Sequence, residues 1–298
     1  MKILRVLREN GPLTGKDLYD ITRVNLFDLW RWCKSDERMS LKRIGHRYLR
    51  FDRNIEGYAR LSPSIQREFF TYTVIGLMGD DENIDERAEA VNKEIKGISG
   101  EKLVYAREIM GKVLEKLPGL KDYIMENACF IIGGDVPLGM AHDDPRPEVS
   151  TGILVPGSDL DIVVITMKDF SPKALKELDE GIHEMKYRLL KRPHNKVEID
   201  YIIKSIAKVE TQAKLRAFED LVACKIIEES ELLLGNPGIY EGVRGILREH
   251  SVPKKLVEHE EAAKARRKAA EKLLLEKGEV TEDDLKLFAT SEEYEEIF

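Results

Sequence analysis

Hydrophobic residues recur along this chain at two different spacings. Between residues 2 and 33 they recur at helical spacing, which predicts three short helices, the first near Lys2–Glu9. The second helix is expected to be capped by Thr14, with Asp17 three residues further on, and the third by Thr22 or Asn25. Apolar and basic residues alternate from Leu41 to Phe51 around Gly45, which predicts a β-hairpin. The start of the chain therefore resembles a small helical module followed by a basic hairpin.

Further along, short apolar runs alternate with helical stretches. The unbroken run at 162–165 predicts a strand buried on both faces, and the runs at 128–132 and 197–203, the latter with acids inside it, predict two further strands. Amphipathic spacing predicts helices at 101–117, from Pro172 onward, and at 211–229. Mixed strands and helices predict an α+β fold, in which the helices flank a mixed sheet.

Two carboxylates stand where the second of these strands begins. Asp159 and Asp161 are two positions apart, which on an extended strand places both side chains on one face, about 6–7 Å apart along the chain. Two acids at such an edge repel each other, and divalent cations would neutralise them. Hard oxygen ligands are those that Mg²⁺ prefers, so the pair predicts a magnesium site.

Three motifs together carry a family resemblance. The glycine pair Gly133–Gly134 follows the first strand, the run 157–161 reads Gly-Ser-Asp-Leu-Asp, and the third strand carries a further acid. Over roughly residues 125–235 this combination resembles the nucleotidyltransferase superfamily related to DNA polymerase beta. The resemblance implies two Mg²⁺ ions held by Asp159, Asp161 and a third carboxylate, and an NTP substrate whose phosphates lie against Gly133, Gly134, Gly157 and Ser158.

The identity of the third carboxylate stays open at this point. Glu198 and Asp200 lie on the same face of the predicted strand, so either can fill the position. Asp200, with apolar neighbours on both sides, matches the resembled family better. The resemblance implies that this residue is catalytic together with Asp159 and Asp161, acting on the acceptor hydroxyl as general base or through the metal.

The chain departs from the family between the glycine pair and the acids. Gly134 and Asp159 are 25 positions apart, a longer connection than the family's usual one. The extra segment, 135–156, contains four prolines and predicts a long loop. We expect this loop to reshape the nucleotide pocket or to contact the acceptor.

Four segments are predicted from these patterns. They are a winged helix-turn-helix-like domain at 1–60, a helical connector at 61–100 that ends at a boundary near Gly97–Gly100, a nucleotidyltransferase domain at 101–236, and a C-terminal helical segment at 237–298. The long charged helix of the last segment is interpreted as solvated, with contact to nucleic acid as the alternative.

Charge is unevenly distributed. Residues 1–60 hold 14 Lys and Arg against 8 Asp and Glu, a balance of +6, whereas the whole chain carries −7 and the remainder therefore −13. A basic module on an acidic body predicts contact with a polyanion. In a winged helix the third helix enters the major groove and the wing contacts the backbone, so the candidate nucleic-acid contacts are Arg31, Lys34, Lys42, Arg43, Arg47 and Arg50.

Composition narrows the cellular context. No stretch of about 18 apolar residues is found, and the N-terminal residues lack a secretory-signal pattern. The three cysteines are scattered and odd in number, which favours a reducing cytoplasm. The sequence thus predicts a cytoplasmic protein that does not cross a membrane.

The leading functional interpretation is a Mg²⁺-dependent nucleotidyltransferase that transfers a nucleoside monophosphate from an NTP to an acceptor hydroxyl, with RNA or DNA as the expected acceptor. Two alternatives are kept. The acceptor can instead be a protein hydroxyl, as in the toxin–antitoxin transferases of the same superfamily, or a small molecule. The protein can also be a non-catalytic nucleotide sensor or DNA-binding regulator, since fold alone does not determine function.

Overall fold

A computed structural model describes residues 2–51, 59–147, 154–192 and 196–290 of the chain, which adopts an α+β fold. The helices are α1 Lys2–Asn10, α2 Gly15–Thr22, α3 Leu26–Ser35, α4 Ile65–Thr71, α5 Asp81–Glu115, α6 Lys121–Asn127, α7 Pro172–Leu190, α8 Ile206–Gln212, α9 Phe218–Glu228, α10 Pro237–Glu249, α11 Val252–Glu276 and α12 Glu282–Leu285. The strands are β1 Leu13–Thr14, β2 Met39–Arg43, β3 Tyr48–Phe51, β4 Ala59–Ser62, β5 Thr73–Leu77, β6 Ala128–Ile132, β7 Pro145–Pro147, β8 Leu154–Pro156, β9 Leu160–Thr166, β10 Ile199–Ser205 and β11 Glu231–Gly235.

Contacts divide the chain into two compact units. The first combines residues 1–52, 58–95 and 258–298, and the second combines 53–57 and 96–257. The four segments predicted from the sequence stay a prediction.

The first unit begins with the three predicted helices. Thr14 caps α2 in a reciprocal capping box with Asp17, and Asn25 caps α3 by accepting hydrogen bonds from the backbone N–H groups of Phe27 and Asp28. Of the two candidate caps for the third helix, the structure therefore uses Asn25. These caps satisfy backbone donors that have no partner inside the helix.

The predicted hairpin around Gly45 is wrong in its pairing. Strand β2 pairs antiparallel with β5, and β3 pairs antiparallel with β4, so the two strands on either side of Gly45 belong to different sheets. The three-stranded sheet has the order β1-β5-β2. Alternating polarity indicated that each segment is a strand, but it does not specify which strand is the partner.

The C-terminal residues contribute to the core of the first unit. Phe288 is 1% exposed and packs against Phe27 and Trp30, with ring centroids 5.2 and 5.3 Å apart. On α11, Leu274 and Arg267 are also buried. The interpretation of this helix as solvated is wrong for these positions, which are buried, although most of the helix is exposed or half-buried.

The second unit is built on a four-stranded mixed sheet of order β10-β9-β6-β11. Strands β9 and β10 are parallel and are connected through α7, whereas β6 is antiparallel to β9 and to β11. The three predicted strands are therefore present. One face of the sheet forms a core with apolar residues of α5 and α7, among them Met110, Leu178 and Ile182.

Helix α5 is continuous where the sequence predicted a boundary. It runs for 35 residues through Gly97 and Gly100. A glycine inside a helix costs only about 1 kcal/mol relative to alanine. Apolar residues on either side, such as Ile95 and Ile109, are buried in their respective units and outweigh that cost.

The predicted loop at 135–156 contains some regular structure. Strands β7 and β8 pair antiparallel within it, while residues 148–153 lie outside the described residues. Among the helices that the structure describes, none has the combined length and apolar character needed to cross a bilayer.

Candidate active site

The parallel pairing of β9 and β10 brings acidic residues together. Asp200 lies opposite Asp161, and Ile199 lies opposite Leu160. The residues that precede these strands, Asp159 and Glu198, therefore lie at the same edge of the sheet. Carboxylate oxygens of Asp159, Glu198 and Asp200 come within 4.8 Å of one another. The structure thus places both candidates for the third carboxylate beside Asp159.

The predicted glycine pair lies against the same edge from the other side. Strand β6 is antiparallel to β9, with Ile132 opposite Ile162, and the N–H of Gly133 donates a hydrogen bond to the carbonyl of Asp161 at 2.8 Å. Gly134 has φ +70°, and a β-carbon there would lie 2.2 Å from Oδ2 of Asp161. The glycines are needed because the turn packs directly on the acidic strand.

The carboxylates differ in their exposure to solvent. Glu198 is 5% exposed, whereas the side chain of Asp200 is 46% exposed. Lys186 of α7 contacts Asp200, with Nζ 2.8 Å from Oδ1. The Lys186 ammonium offsets part of the negative charge at Asp200, and the three convergent carboxylates of Asp159, Glu198 and Asp200 are oxygen ligands of the kind that a divalent cation takes.

Ser158 is held by the inserted segment. Its hydroxyl donates to Oδ2 of Asp135 at 3.1 Å and accepts from the N–H of His142 at 3.3 Å, and its own N–H donates to the carbonyl of His142 at 2.9 Å. Gly157 has φ +62°, and a β-carbon there would lie 1.7 Å from the same carbonyl. The segment therefore packs against the backbone that leads into Asp159.

Lys102 of α5 completes this support. Its ammonium donates to the carbonyl of Ser158 at 2.8 Å and lies 3.8 Å from Oδ1 of Asp143. Sequence reasoning missed Lys102, Lys186 and Asp135. Lys102 is 56 residues from Ser158 in the sequence, and Lys186 is 14 residues from Asp200. Both lysines lie on amphipathic helices, where the sequence does not distinguish a lysine that contacts the site from one that faces solvent.

The six basic candidates of the first unit fall into two groups. Arg31 donates to the carbonyls of Leu275, Lys277 and Gly278, Lys42 pairs with Asp85, and Arg47 pairs with acidic side chains. The remaining three are exposed, on α3, β2 and β3: Lys34, Arg43 and Arg50.

Arg47 belongs to a buried ionic cluster. Its guanidinium donates to Oε1 of Glu68 at 2.7 Å and to Oε1 of Glu271 at 2.8 Å, and Arg267 donates to the same Glu271 oxygen at 2.7 Å. Burial by itself raises the pKa of Glu68, but the hydrogen bonds from Arg47 and the charge of Arg267 outweigh it and hold that pKa below its usual value. These arginines stabilise the first unit.

Comparison with known proteins does not assign the chain to a family. No protein-family model matches this chain, and no curated protein is significantly similar to it in sequence.

Proposed function

We propose that the protein is a Mg²⁺-dependent nucleotidyltransferase that moves a nucleoside monophosphate from an NTP to an acceptor hydroxyl. One observation carries the proposal: Asp159, Asp161, Glu198 and Asp200 lie at one edge of two neighbouring strands, with the turn at Gly133–Gly134 against Asp161. The same order of motifs is the basis of the resemblance to the polymerase-beta superfamily. The mixed sheet with a helical crossover between β9 and β10 also supports that fold.

The donor set fits divalent magnesium. All the candidate ligands are carboxylate oxygens, and those of Asp159, Glu198 and Asp200 are close enough together to share an ion. Asp161, beside Asp200 in the register, extends the acidic edge toward the glycine turn and is the natural ligand for a second ion. Bound there, Mg²⁺ supplies Lewis-acid stabilisation of the attacking and leaving oxygens.

The chain's own residues position the reactants. In the reaction, the acceptor oxygen forms a bond to the α-phosphorus, the bond from that phosphorus to the bridging oxygen breaks, and pyrophosphate leaves with the electron pair. The acceptor proton passes to a carboxylate. Asp200 suits this role better than Glu198, because its side chain is half exposed whereas Glu198 is buried.

Three features support nucleic acid as the acceptor and a role for the first unit. Residues 1–52 of the unit hold 12 Lys and Arg against 7 Asp and Glu, this part has the three-helix arrangement expected of a winged helix, and three of its candidate contacts, Lys34, Arg43 and Arg50, are exposed. Arg31, Lys42 and Arg47 are engaged in the hydrogen bonds and ion pairs described above. We therefore infer a smaller nucleic-acid surface on this unit than the sequence predicted.

The proposal is tested by a label-transfer assay. The full-length protein is incubated with Mg²⁺, each labelled NTP in turn and cellular RNA, beside Asp159→Asn and Asp200→Asn variants. Asp169→Asn, an exposed aspartate of the same unit, is the matched control. We expect label to enter RNA with the wild type and the control, and to be lost with the site variants.

Other outcomes discriminate between the alternatives. Label entering protein would identify a protein-modifying transferase. Absence of label from every pool, with Mg²⁺-dependent NTP binding retained, would instead identify a nucleotide sensor and overturn the proposed catalysis.

A further inference from the structure

The C-terminal end of α7 lies at the same edge of the sheet as the acidic site. A helix that connects two parallel strands runs back along them, so its C-terminal end meets the beginnings of β9 and β10. The contact of Lys186 with Asp200 shows this proximity directly, with 2.8 Å between Nζ and Oδ1. The surface next to Asp200 is therefore formed by the last turns of α7.

This end of α7 is strongly basic. From residue 185 to 196 the sequence holds five cationic residues and no carboxylate, in a chain whose net charge is −7. Of these, Arg188, Lys191 and Arg192 are exposed. Cations at a helix C-terminus interact favourably with the helix dipole, but that effect is limited to the last turn and explains neither the length of the basic stretch nor its lack of acids.

An exposed aromatic ring lies among these cations. Tyr187 is 56% exposed, and Nζ of Lys191, one helical turn further on, lies 4.1 Å from the centre of its ring. Arg192 donates a hydrogen bond to the hydroxyl of Tyr105 at 2.9 Å, which fixes its position at the edge of the surface. An exposed ring among cations is the combination on which proteins stack bases and bind backbone phosphates of single strands.

We propose that Lys186, Tyr187, Arg188, Lys191 and Arg192 form the binding surface for the single-stranded end of a nucleic-acid acceptor. The cations contact its phosphates, a base stacks on Tyr187, and the terminal hydroxyl is directed toward Asp200. The inference rests on the proposed transferase function and names the acceptor class and the side from which it enters. Charge complementarity selects a polyanion, and the ring selects unpaired bases over a duplex.

Fluorescence anisotropy with end-labelled 12-nucleotide RNA and DNA single strands tests the surface without NTP or metal. The full-length protein is compared with Tyr187→Ala and with Arg188→Gln/Lys191→Gln. The matched control is Lys173→Gln/Lys176→Gln, which removes two exposed cations from the first half of the same helix. A duplex of the same sequence serves as the competitor.

We expect Tyr187→Ala to weaken binding of the single strand about 5- to 100-fold, which corresponds to the loss of one stacked base. The double glutamine variant should weaken binding at least tenfold and reduce the magnitude of the salt slope, d log K/d log[salt], by about 0.7 for each lost phosphate contact. The control variant should bind as the wild type does. Equal binding by all the variants would overturn the inference.

A second comparison separates this surface from the first unit and from the proposed catalysis. If only Arg43→Gln/Arg50→Gln weakens binding, the strand binds elsewhere and the inference is wrong. If label enters protein alone, the inference fails while the transferase stands. If the α7 variants weaken binding but Asp159→Asn leaves label transfer unchanged, the surface stands and the proposed site fails.

Discussion

Gly134 lies so close to Asp161 that a β-carbon added to this glycine would lie 2.2 Å from Oδ2 of the Asp161 side chain. The backbone of Gly134 is also left-handed, with φ +70°. Replacement by alanine must therefore displace the Asp161 side chain and strain the turn, at a cost of about 1–3 kcal/mol. We expect Gly134→Ala to lower label transfer by at least tenfold, measured as initial rates at saturating NTP.

The cause of that loss can be checked by Mg²⁺ titration. If Asp161 is displaced, Gly134→Ala should require more Mg²⁺ for half-maximal rate, while its circular dichroism spectrum stays that of the wild type. A rate and a Mg²⁺ requirement equal to those of the wild type would show that Asp161 does not need its present position.

At Gly97, unlike Gly134, there is room for a β-carbon. It lies inside α5, and a β-carbon added there would contact nothing within 4 Å. Alanine loses less backbone entropy on folding, so Gly97→Ala should stabilise the protein by about 0.5–1 kcal/mol. The urea dependence of unfolding measures this change. A destabilised variant would mean that the helix needs flexibility at this position.

Divalent cations should stabilise the protein through the acidic edge. A ligand that binds only the folded state at 100 times its dissociation constant adds about 2.7 kcal/mol to the free energy of unfolding. We expect Mg²⁺ or Mn²⁺ to raise the melting temperature of the wild type and of Asp169→Asn, and EDTA to reverse the rise. Glu198→Gln and Asp159→Asn should lose most of it. An equal rise in all four proteins would place the cation elsewhere.

The elements of the site were predictable because they depend on local pattern. Unbroken apolar runs indicated β6 and β9, an apolar run interrupted by two acids indicated β10, and the period of two placed Glu198 and Asp200 on one face. That same period made the two acids indistinguishable, and both proved to lie beside Asp159. Local pattern could not reveal the partners of β2 and β3, nor the continuity of α5, because tertiary contacts decide both. The same holds for Lys102 and Lys186, whose partners are distant in sequence.

Phe288 tests how much the C-terminal residues contribute to the first unit. It is 1% exposed between Phe27 and Trp30, and its carbonyl accepts a hydrogen bond from the N–H of Gln66 at 2.8 Å. Phe288→Ala should cost about 3–5 kcal/mol, by loss of buried area and by the cavity left behind. Leu287→Ala, at a neighbouring position that is 39% exposed, is the control and should change the urea midpoint little. Similar midpoints for both variants would contradict the packing.

The buried cluster around Glu68 predicts a pH dependence of stability with a definite sign. Arg47, Arg267 and the more distant Arg43 lower the pKa of this carboxyl against the effect of burial, while Glu271 shares the same two guanidinium groups. Because the folded state binds this proton more weakly than the unfolded state does, the stabilisation is fully present above the unfolded pKa of about 4.3 and is lost as pH falls through the lower folded value. The arginines stay charged throughout this range, although burial lowers the pKa of Arg267.

Glu68→Gln should therefore cost about 3–5 kcal/mol at neutral pH, because it leaves the buried guanidinium group of Arg267 and the half-buried one of Arg47 with one carboxylate fewer. The difference between the wild type and this variant should stay constant from pH 8 to pH 6 and shrink below about pH 4.3, where the wild type also becomes protonated. Urea unfolding at a series of pH values measures it. Glu184→Gln, which removes the exposed partner of Lys116, should leave stability nearly unchanged over the same range. If the difference in the free energy of unfolding between the wild type and Glu68→Gln instead widened in acid, the ionised Glu68 carboxylate would not stabilise the folded state. Other groups would then neutralise Arg47 and Arg267.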